Sequence, residues 1–321
     1  PILKISFRFL RGKDKHDTLS MVLPNYLVIG DRIRIVAPAK ALPENGVQHT
    51  VDYFTNAGFE VLVGRNVYAQ HGGFAGTDLE RQADVQEAIN DPLCKAILLA
   101  RGGYGTVRIV DELDYSALKS HPKWFCGFSD ITYFHGKANF DLNLASIHST
   151  VPLKITKEES TQEATKSLLD ALRGKIKFST LQANELNLKG KATGKLVGGN
   201  LAVFHGMLSQ FDVTKLKDCI LFLEDVNEEM YQIDRNLMNL KRAGVFDQIS
   251  GCIVGGFTGQ RDSKNWFPKT IPEQLFYDIL KECNVPVCFN YPAGHVDYNL
   301  AMIFGANIRM QVDGTVNIKY C

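Results

Sequence analysis

Lys123-Trp-Phe-Cys-Gly-Phe-Ser129-Asp130-Ile-Thr-Tyr133 carries an apolar strand into a tight corner and on into a helix-compatible segment. A serine at a sharp strand-to-helix turn projects its hydroxyl off the edge of a sheet. The first N–H groups of the helix then point at whatever that hydroxyl attacks. Ile131 stands where G-x-S-x-G would have its second glycine, and Gly-x-Ser at a corner is commonly just a turn. The catalytic reading therefore needs a base, an orienting acid and an oxyanion site from elsewhere in the chain.

Working outward from the corner, the preceding 100 residues alternate strand and helix signals. Residues 32–38 alternate and then run apolar to Pro38, a first strand. Residues 47–56 suit a helix with Gly58 at C′, and 59–63 a second strand. Thr77-Asp-Leu-Glu80 is a capping box, predicting a helix with Leu79, Ala83 and Ile89 inward and a stop at Asp91-Pro92. Residues 94–100, apolar except Lys95, read as a strand buried on both faces of a parallel sheet. It ends in Arg101-Gly-Gly-Tyr-Gly105, and 106–113 reads as the next helix. Alternation of this kind predicts an open, mostly parallel sheet with helices on both faces, whose reactive groups collect at the carboxyl ends of the strands. Both the glycine-rich loop and the Ser129 corner lie at such ends.

Composition narrows the function classes. A net charge of +1 without a basic block offers no footprint for nucleic acid or an anionic membrane, and no apolar run reaches membrane-spanning length. Seven cysteines without a C-x-x-C pair, four of them (94, 126, 219, 252) in apolar runs, predict buried thiols in a reducing compartment and no zinc site. Residues 1–20 have neither the h-region nor the cleavage site of a signal peptide, and Met21 is the expected natural start after an extension or cloning remnant.

Beyond the corner, residues 154–177 are charge-rich with helical spacing through Ala164, Leu168 and Leu172. We take 151–190 as a crossing between an N-terminal domain at 21–150 and a smaller β-rich α/β domain at 191–321. There, 194–201 is strand-like, 203–211 helical and 219–223 a buried strand ending on Glu224-Asp225. Residues 231–242 form an amphipathic helix with Ile233, Leu237 and Leu240 inward, closed by Gly244. Further strands are expected at 249–256 and 285–289, and Asp313-Gly314 signals a hairpin between the last two.

Several residue types could complete a site. Gly102-Gly103-Tyr104-Gly105 lacks both dinucleotide and P-loop spacing. Two readings stay open: a tight turn, or backbone amides approaching an oxyanion beside Arg101, a carboxylate-binding cation. Glu224 is either a strand-end residue in solvent or an acid that orients an imidazole, with Asp225 as rival. Among eight histidines, His295 follows glycine in the loop past residues 285–289 and is the candidate base; His148 is the runner-up and His135 structural. No H-E-x-x-H or similar cluster calls for a metal.

In order, Ala100-Arg-Gly-Gly-Tyr-Gly105, Gly127-Phe-Ser-Asp130, Gly198-Gly-Asn200, Leu223-Glu-Asp225 with Tyr231-x-Ile-Asp-Arg235, and Gly294-His295 resemble the LD-carboxypeptidase family, serine peptidases that trim muropeptides. The resemblance runs from about Gly30 to the C-terminus. It implies a Ser129–Glu224–His295 triad, an oxyanion hole from the N–H groups of Asp130 and Gly103, and a site between two domains. Arg101, Gly102, Tyr104, Gly199 and Asn200 fall at its substrate-binding positions. It further implies a homodimer acting on the L,D peptide bond of murein tetrapeptides to release D-alanine in cell-wall recycling; the cytoplasmic, cofactor-free setting is expected from the buried thiols and the absence of metal or cofactor motifs. Two departures stand out: His148-Ser-Thr replaces His-Gly-Pro, leaving His148 without an assigned role, and Val296-Asp297 follows the histidine where relatives often have glycine. The alternatives are a related peptidase cleaving peptidyl-nucleotide antibiotics, for which Trp124 and Trp266 are the aromatic candidates, and a non-catalytic muropeptide-binding protein.

Overall fold

A computed structural model describes residues 21–176, 178–182 and 184–321; the expected extension at 1–20 lies outside the described residues. The chain opens with β1 (Arg32–Val36), α1 (Gln48–Asn56), β2 (Glu60–Val63), α2 (Asp78–Asn90) and β3 (Cys94–Leu99). It continues through β4 (Trp124–Gly127), α3 (Thr132–Gly136), β5 (Ser146–His148) and α4 (Glu159–Leu172). The second half holds β6 (Phe178–Gln182), β7 (Gly190–Asn200), α5 (Leu201–Gly206), β8 (Ile220–Val226), α6 (Met230–Arg242), α7 (Val245–Gln248) and β9 (Gly251–Thr258). It closes with α8 (Pro272–Leu280), β10 (Val287–Cys288), β11 (Met302–Phe304), β12 (Asn307–Val312) and β13 (Thr315–Tyr320).

The first sheet has the order β11-β5-β4-β3-β1-β2, parallel from β5 to β2 and closed at one edge by antiparallel β11. Residues on β3 alternate between two cores. Ala96 and Leu98 face one with Ile33, Ile35 and Trp124, while Ile97 and Leu99 face the other with Val36 and Phe125. This double burial is why the strand is apolar almost throughout. The second sheet, β10-β9-β8-β7-β12-β13-β6, is parallel from β10 to β7 and antiparallel beyond. Its β8 likewise divides, with Leu221 and Leu223 in one core and Ile220 and Phe222 in the other. Because β11 follows the His295 loop in sequence yet pairs with β5, the C-terminal half sews itself onto the first sheet.

The Thr77 capping box forms as expected, with the side chain accepting the Glu80 N–H and Glu80 reaching back to the Thr77 N–H. The inward face of α2, however, is Arg81, Asp84, Val85, Ala88 and Ile89. Leu79 is 76% exposed. The helix is rotated because polar work inside the protein, described below for Arg81, sets its phase. Residues 106–113 do not form the expected helix; they make two separate 3-10 turns, at 106–108 and 110–112. The expected helix at 203–211 starts earlier and stops at Gly206. Among the described residues no helix is long and apolar enough to cross a membrane.

Candidate active site

The corner after β4 is held in a conformation that L-residues avoid: Ser129 has φ +67°. Such strain persists only where surroundings over-determine it, and it concentrates at reactive positions. Here the restraints come from both sides. The neighbouring Asp130 carboxylate is buried and accepts the Thr106 N–H at 2.9 Å; burial pushes its pKa up, against the opposing pull of that hydrogen bond. The Thr132 hydroxyl donates to the Ser129 carbonyl at 2.7 Å.

The loop from β3 passes directly beside this corner. A Cβ on Gly102 would sit 3.0 Å from Ser129 Cβ and 3.3 Å from the Asp130 N, so only glycine lets the two backbones approach this closely. From below, the buried Arg81 guanidinium donates to the carbonyls of Pro38 and Gly105 and pairs with Asp78. Arg81 therefore ties the Gly105 end of the glycine-rich loop to the segment after β1, and Asp130 ties Thr106, the next residue, to the corner. Arg101 donates to the Ala41 carbonyl at 2.7 Å, and among the described residues no carboxylate pairs with it.

Glu224 lies inside β8, not in solvent at its end as the simpler reading allowed, and it is fully buried. Its Oε2 accepts two N–H groups of the same residue, the His295 backbone at 3.1 Å and Nδ1 at 2.7 Å. With the proton on Nδ1 assigned by that carboxylate, Nε2 is left as the basic nitrogen. Gly294 (φ +105°) makes the approach possible, since a Cβ there would lie 2.6 Å from Oε2 and 2.7 Å from Glu224 Cβ. The His295 ring then packs on Phe128, centroid to centroid 4.7 Å, and Phe128 immediately precedes Ser129. The acid–imidazole pair is thus delivered by the second half of the chain to the serine corner of the first.

One continuous hydrogen-bond path joins the halves. Thr132 Oγ1 accepts the Asn200 N–H at 3.0 Å, Asn200 Nδ2 donates to Asp225 Oδ1 at 2.8 Å, and Asp225 Oδ2 accepts the Ala202 N–H at 3.0 Å. Burial, with the Glu224 charge next to it, pushes Asp225 up to about 7. Asp225, weighed as a rival acid, turns toward Asn200 and the start of α5 and makes no bond to His295.

The remaining expected residues are distributed as follows. Gly103 lies against the Lys40 side chain, and Tyr104 is exposed with its ring tilted on Phe74 at 5.9 Å. Gly199 backs onto Thr132, whose hydroxyl a Cβ would overlap; Asn200 is buried, its Oδ1 capping α5 at Val203 and its Nδ2 held by Asp225. The expected substrate contact at Asn200 thus meets a side chain engaged in bonds within the protein. His135 is buried, bonded to Ser146 Oγ and the Gly127 carbonyl at 2.9 Å each, and burial lowers its pKa to about 4. Trp124 is core, stacked on Tyr26 with Nε1 donating to the Asn25 carbonyl; Trp266 is 65% exposed, edge-on to Tyr231. Sequence reasoning missed Thr132, Arg81 and Phe128. Thr132 alone left a signal, a hydroxyl three residues past the serine, where it reaches back to the corner carbonyl.

Comparison with known proteins shows which family the chain belongs to. Family models described as the LD-carboxypeptidase N-terminal domain and C-terminal domain match residues 33–149 and 193–310. A probable murein peptide carboxypeptidase of Bacillus subtilis is 32% identical over 290 residues, 89% of this chain and 91% of that protein. The murein tetrapeptide carboxypeptidase of Pseudomonas aeruginosa is 28% identical, covering 86% of this chain and 92% of that one. Among solved structures, a muramoyltetrapeptide carboxypeptidase from Oxalobacter formigenes superposes with a TM-score of 0.79 at 22% identity, over 90% of this chain and 98% of that one. A microcin C7 self-immunity protein reaches 0.83 at 20% identity, over 93% and 98%. At these identities the structural likeness speaks to the fold.

Proposed function

This chain belongs to the LD-carboxypeptidase family, and from that premise we propose that it hydrolyses the L,D peptide bond of murein tetrapeptides, releasing terminal D-alanine. The observation that carries the reading is the buried Glu224 carboxylate bonded to His295 Nδ1 at 2.7 Å, with the imidazole lying on the residue before a strained serine.

In the proposed mechanism Ser129 Oγ attacks the carbonyl of the L-centre while His295 Nε2 takes its proton. Glu224 holds the tautomer and stabilises the imidazolium. The oxyanion is met by the N–H groups of Asp130 and Gly103, preorganised by the Thr106 and Arg81 bonds beneath them. His295 returns the proton to the leaving amine of D-alanine, and water attacks the acyl-enzyme by the reverse route. Arg101, free of carboxylate partners among the described residues, receives the terminal carboxylate and gives exopeptidase selectivity. The site lies between an N-terminal domain at 21–150 and a C-terminal domain at 191–321. We assign the protein to the cytoplasm as a homodimer; seven unpaired cysteines support the reducing setting.

The test is mass spectrometry of L-Ala-γ-D-Glu-meso-diaminopimelate-D-Ala incubated with wild type and with Ser129→Ala. Loss of one D-alanine by wild type alone is expected. Loss with both overturns the serine assignment, and loss with neither overturns the murein substrate in favour of a peptidyl-nucleotide one.

A further inference from the structure

Glu224 presents an imbalance. Both of its hydrogen bonds fall on Oε2, while Oε1 is equally buried and has no partner. A buried carboxylate oxygen without a donor is costly, and native proteins satisfy such atoms. Two buried polar side chains on neighbouring elements are also unsatisfied. His148 is fully buried with neither ring nitrogen in a well-formed hydrogen bond, although the Asn299 side chain approaches the ring, and Asn299 is buried with Nδ2 likewise uncommitted.

These groups adjoin the elements that hold the acid–imidazole pair. His148 packs on Phe222 at 4.9 Å, and Phe222 lies two residues before Glu224, on the same face of β8. On its other side His148 meets Phe128 at 5.9 Å, the ring that carries His295. Asn299 faces His148 and accepts the Gly294 N–H on Oδ1 at 2.8 Å, and Gly294 is in contact with the Glu224 carboxylate. His135, the other buried histidine nearby, has both nitrogens committed and cannot serve.

We propose that Asn299 and His148 are positioning residues for the reaction: with one buried water where direct reach fails, they supply Glu224 Oε1 with the N–H donors it lacks and hold the carboxylate on His295. This rests on the Ser129–Glu224–His295 reading. Burial holds the His148 pKa well below the usual imidazole range, with the His135 and His295 charges acting in the same direction. A neutral ring has one N–H to give and one nitrogen to accept, as a relay between Asn299 and Glu224 needs. The other ionisable groups against the carboxylate are Asp225 on its own strand and His295 on the facing loop.

Asn299→Asp keeps an oxygen for the Gly294 N–H and removes the Nδ2 donor but adds a charge, so it is read beside the neutral Asn299→Leu, which removes the donor without one; a shift common to both marks the lost donor. A carboxylate that loses a donor to its charged form titrates higher. The acid limb of the rate–pH profile should therefore move up by about 1–2 pH units, with kcat about 10- to 100-fold lower and KM little changed. His148→Phe should act in the same direction and His148→Gln, which restores an N–H, should recover part of the loss. The rate of Ser129 labelling by a fluorophosphonate, followed against pH, reads the same limb without depending on the natural substrate. Asp225→Asn serves as the control for its own titration. Labelled wild type with an unshifted limb in Asn299→Asp overturns the proposal, even if His148→Phe fails to fold. Wild type that resists labelling instead overturns the serine reading on which it rests.

Discussion

Thr132→Val removes one oxygen and keeps the side-chain volume, so its effect isolates the bridge between the two halves. The hydroxyl is fully buried, donating to the Ser129 carbonyl at 2.7 Å and accepting the Asn200 N–H at 3.0 Å. The Ser129 carbonyl keeps a second partner, the Thr132 backbone N–H. The Asn200 N–H has no such reserve in the bonds described, and Asn200 is itself buried. An orphaned buried donor costs about 1–3 kcal/mol, and the lost bond to the carbonyl adds about 1 kcal/mol, giving roughly 2–4 kcal/mol. For a protein of this size that corresponds to a fall of about 3–6 °C in melting temperature. Thr132→Ser, which retains the oxygen, should lose much less. The same loosening frees β7 from the serine helix, so fluorophosphonate labelling of Ser129 should slow in Val and be largely preserved in Ser. Differential scanning fluorimetry with timed labelling measures both. If Thr132→Val melts within a degree of wild type, the hydroxyl is not bridging the halves and the path through Asn200 to Asp225 is dismissed.

Three other outcomes follow from the same geometry. Ser129→Ala should abolish D-alanine release, whereas Ser129→Gly, which removes the Cβ that makes φ +67° costly, should also be inactive yet melt at or above wild type; a clear loss of stability in the glycine variant would contradict the strain. Gly294→Ala should cost at least tenfold in kcat, because its Cβ would meet the Glu224 carboxylate at 2.6 Å; wild-type kinetics would exclude that packing. Asp225 has a folded pKa raised to about 7, above its unfolded value near 3.9, so the folded state binds the extra proton. Stability should therefore decline as pH rises from about 4 to 7, by up to about 1.4 kcal/mol per unit from this group, and Asp225→Asn should flatten that slope in urea titrations.

Much of the architecture was legible because its signals are local. Apolar runs at 94–100 and 219–223 mark strands buried on both faces, Thr77 and Glu80 form a cap within one turn, and Asp313-Gly314 closes a hairpin on itself. The corner was readable for the same reason, since Gly127-Phe-Ser-Asp130 records a backbone need that few residues meet. The failures were also instructive. Leu79 obeyed helical spacing, but Arg81 and Asp84 have partners inside the protein, so polar bonds outranked apolarity in setting the phase of α2. Residues 106–113 suited a helix until Thr106 was drawn to Asp130 and the segment broke into two turns.

The sequence by itself determined which strands exist, where the glycines must stand, and that a serine, a glutamate and a histidine occur in the order and setting of a peptidase family. Each of those follows from steric and hydrophobic rules that act over a few residues. Whether Glu224 stood in water or in the core was decided only when β8 took a central place in its sheet and Gly294 closed over the carboxylate. The tertiary structure likewise separated three similar-looking histidines: one bonded at both nitrogens, one bonded to an acid, one buried with neither nitrogen in a well-formed hydrogen bond. Such distinctions depend on groups from 8 to 71 residues apart, and no local pattern records which donor will meet which acceptor once the two sheets are brought together.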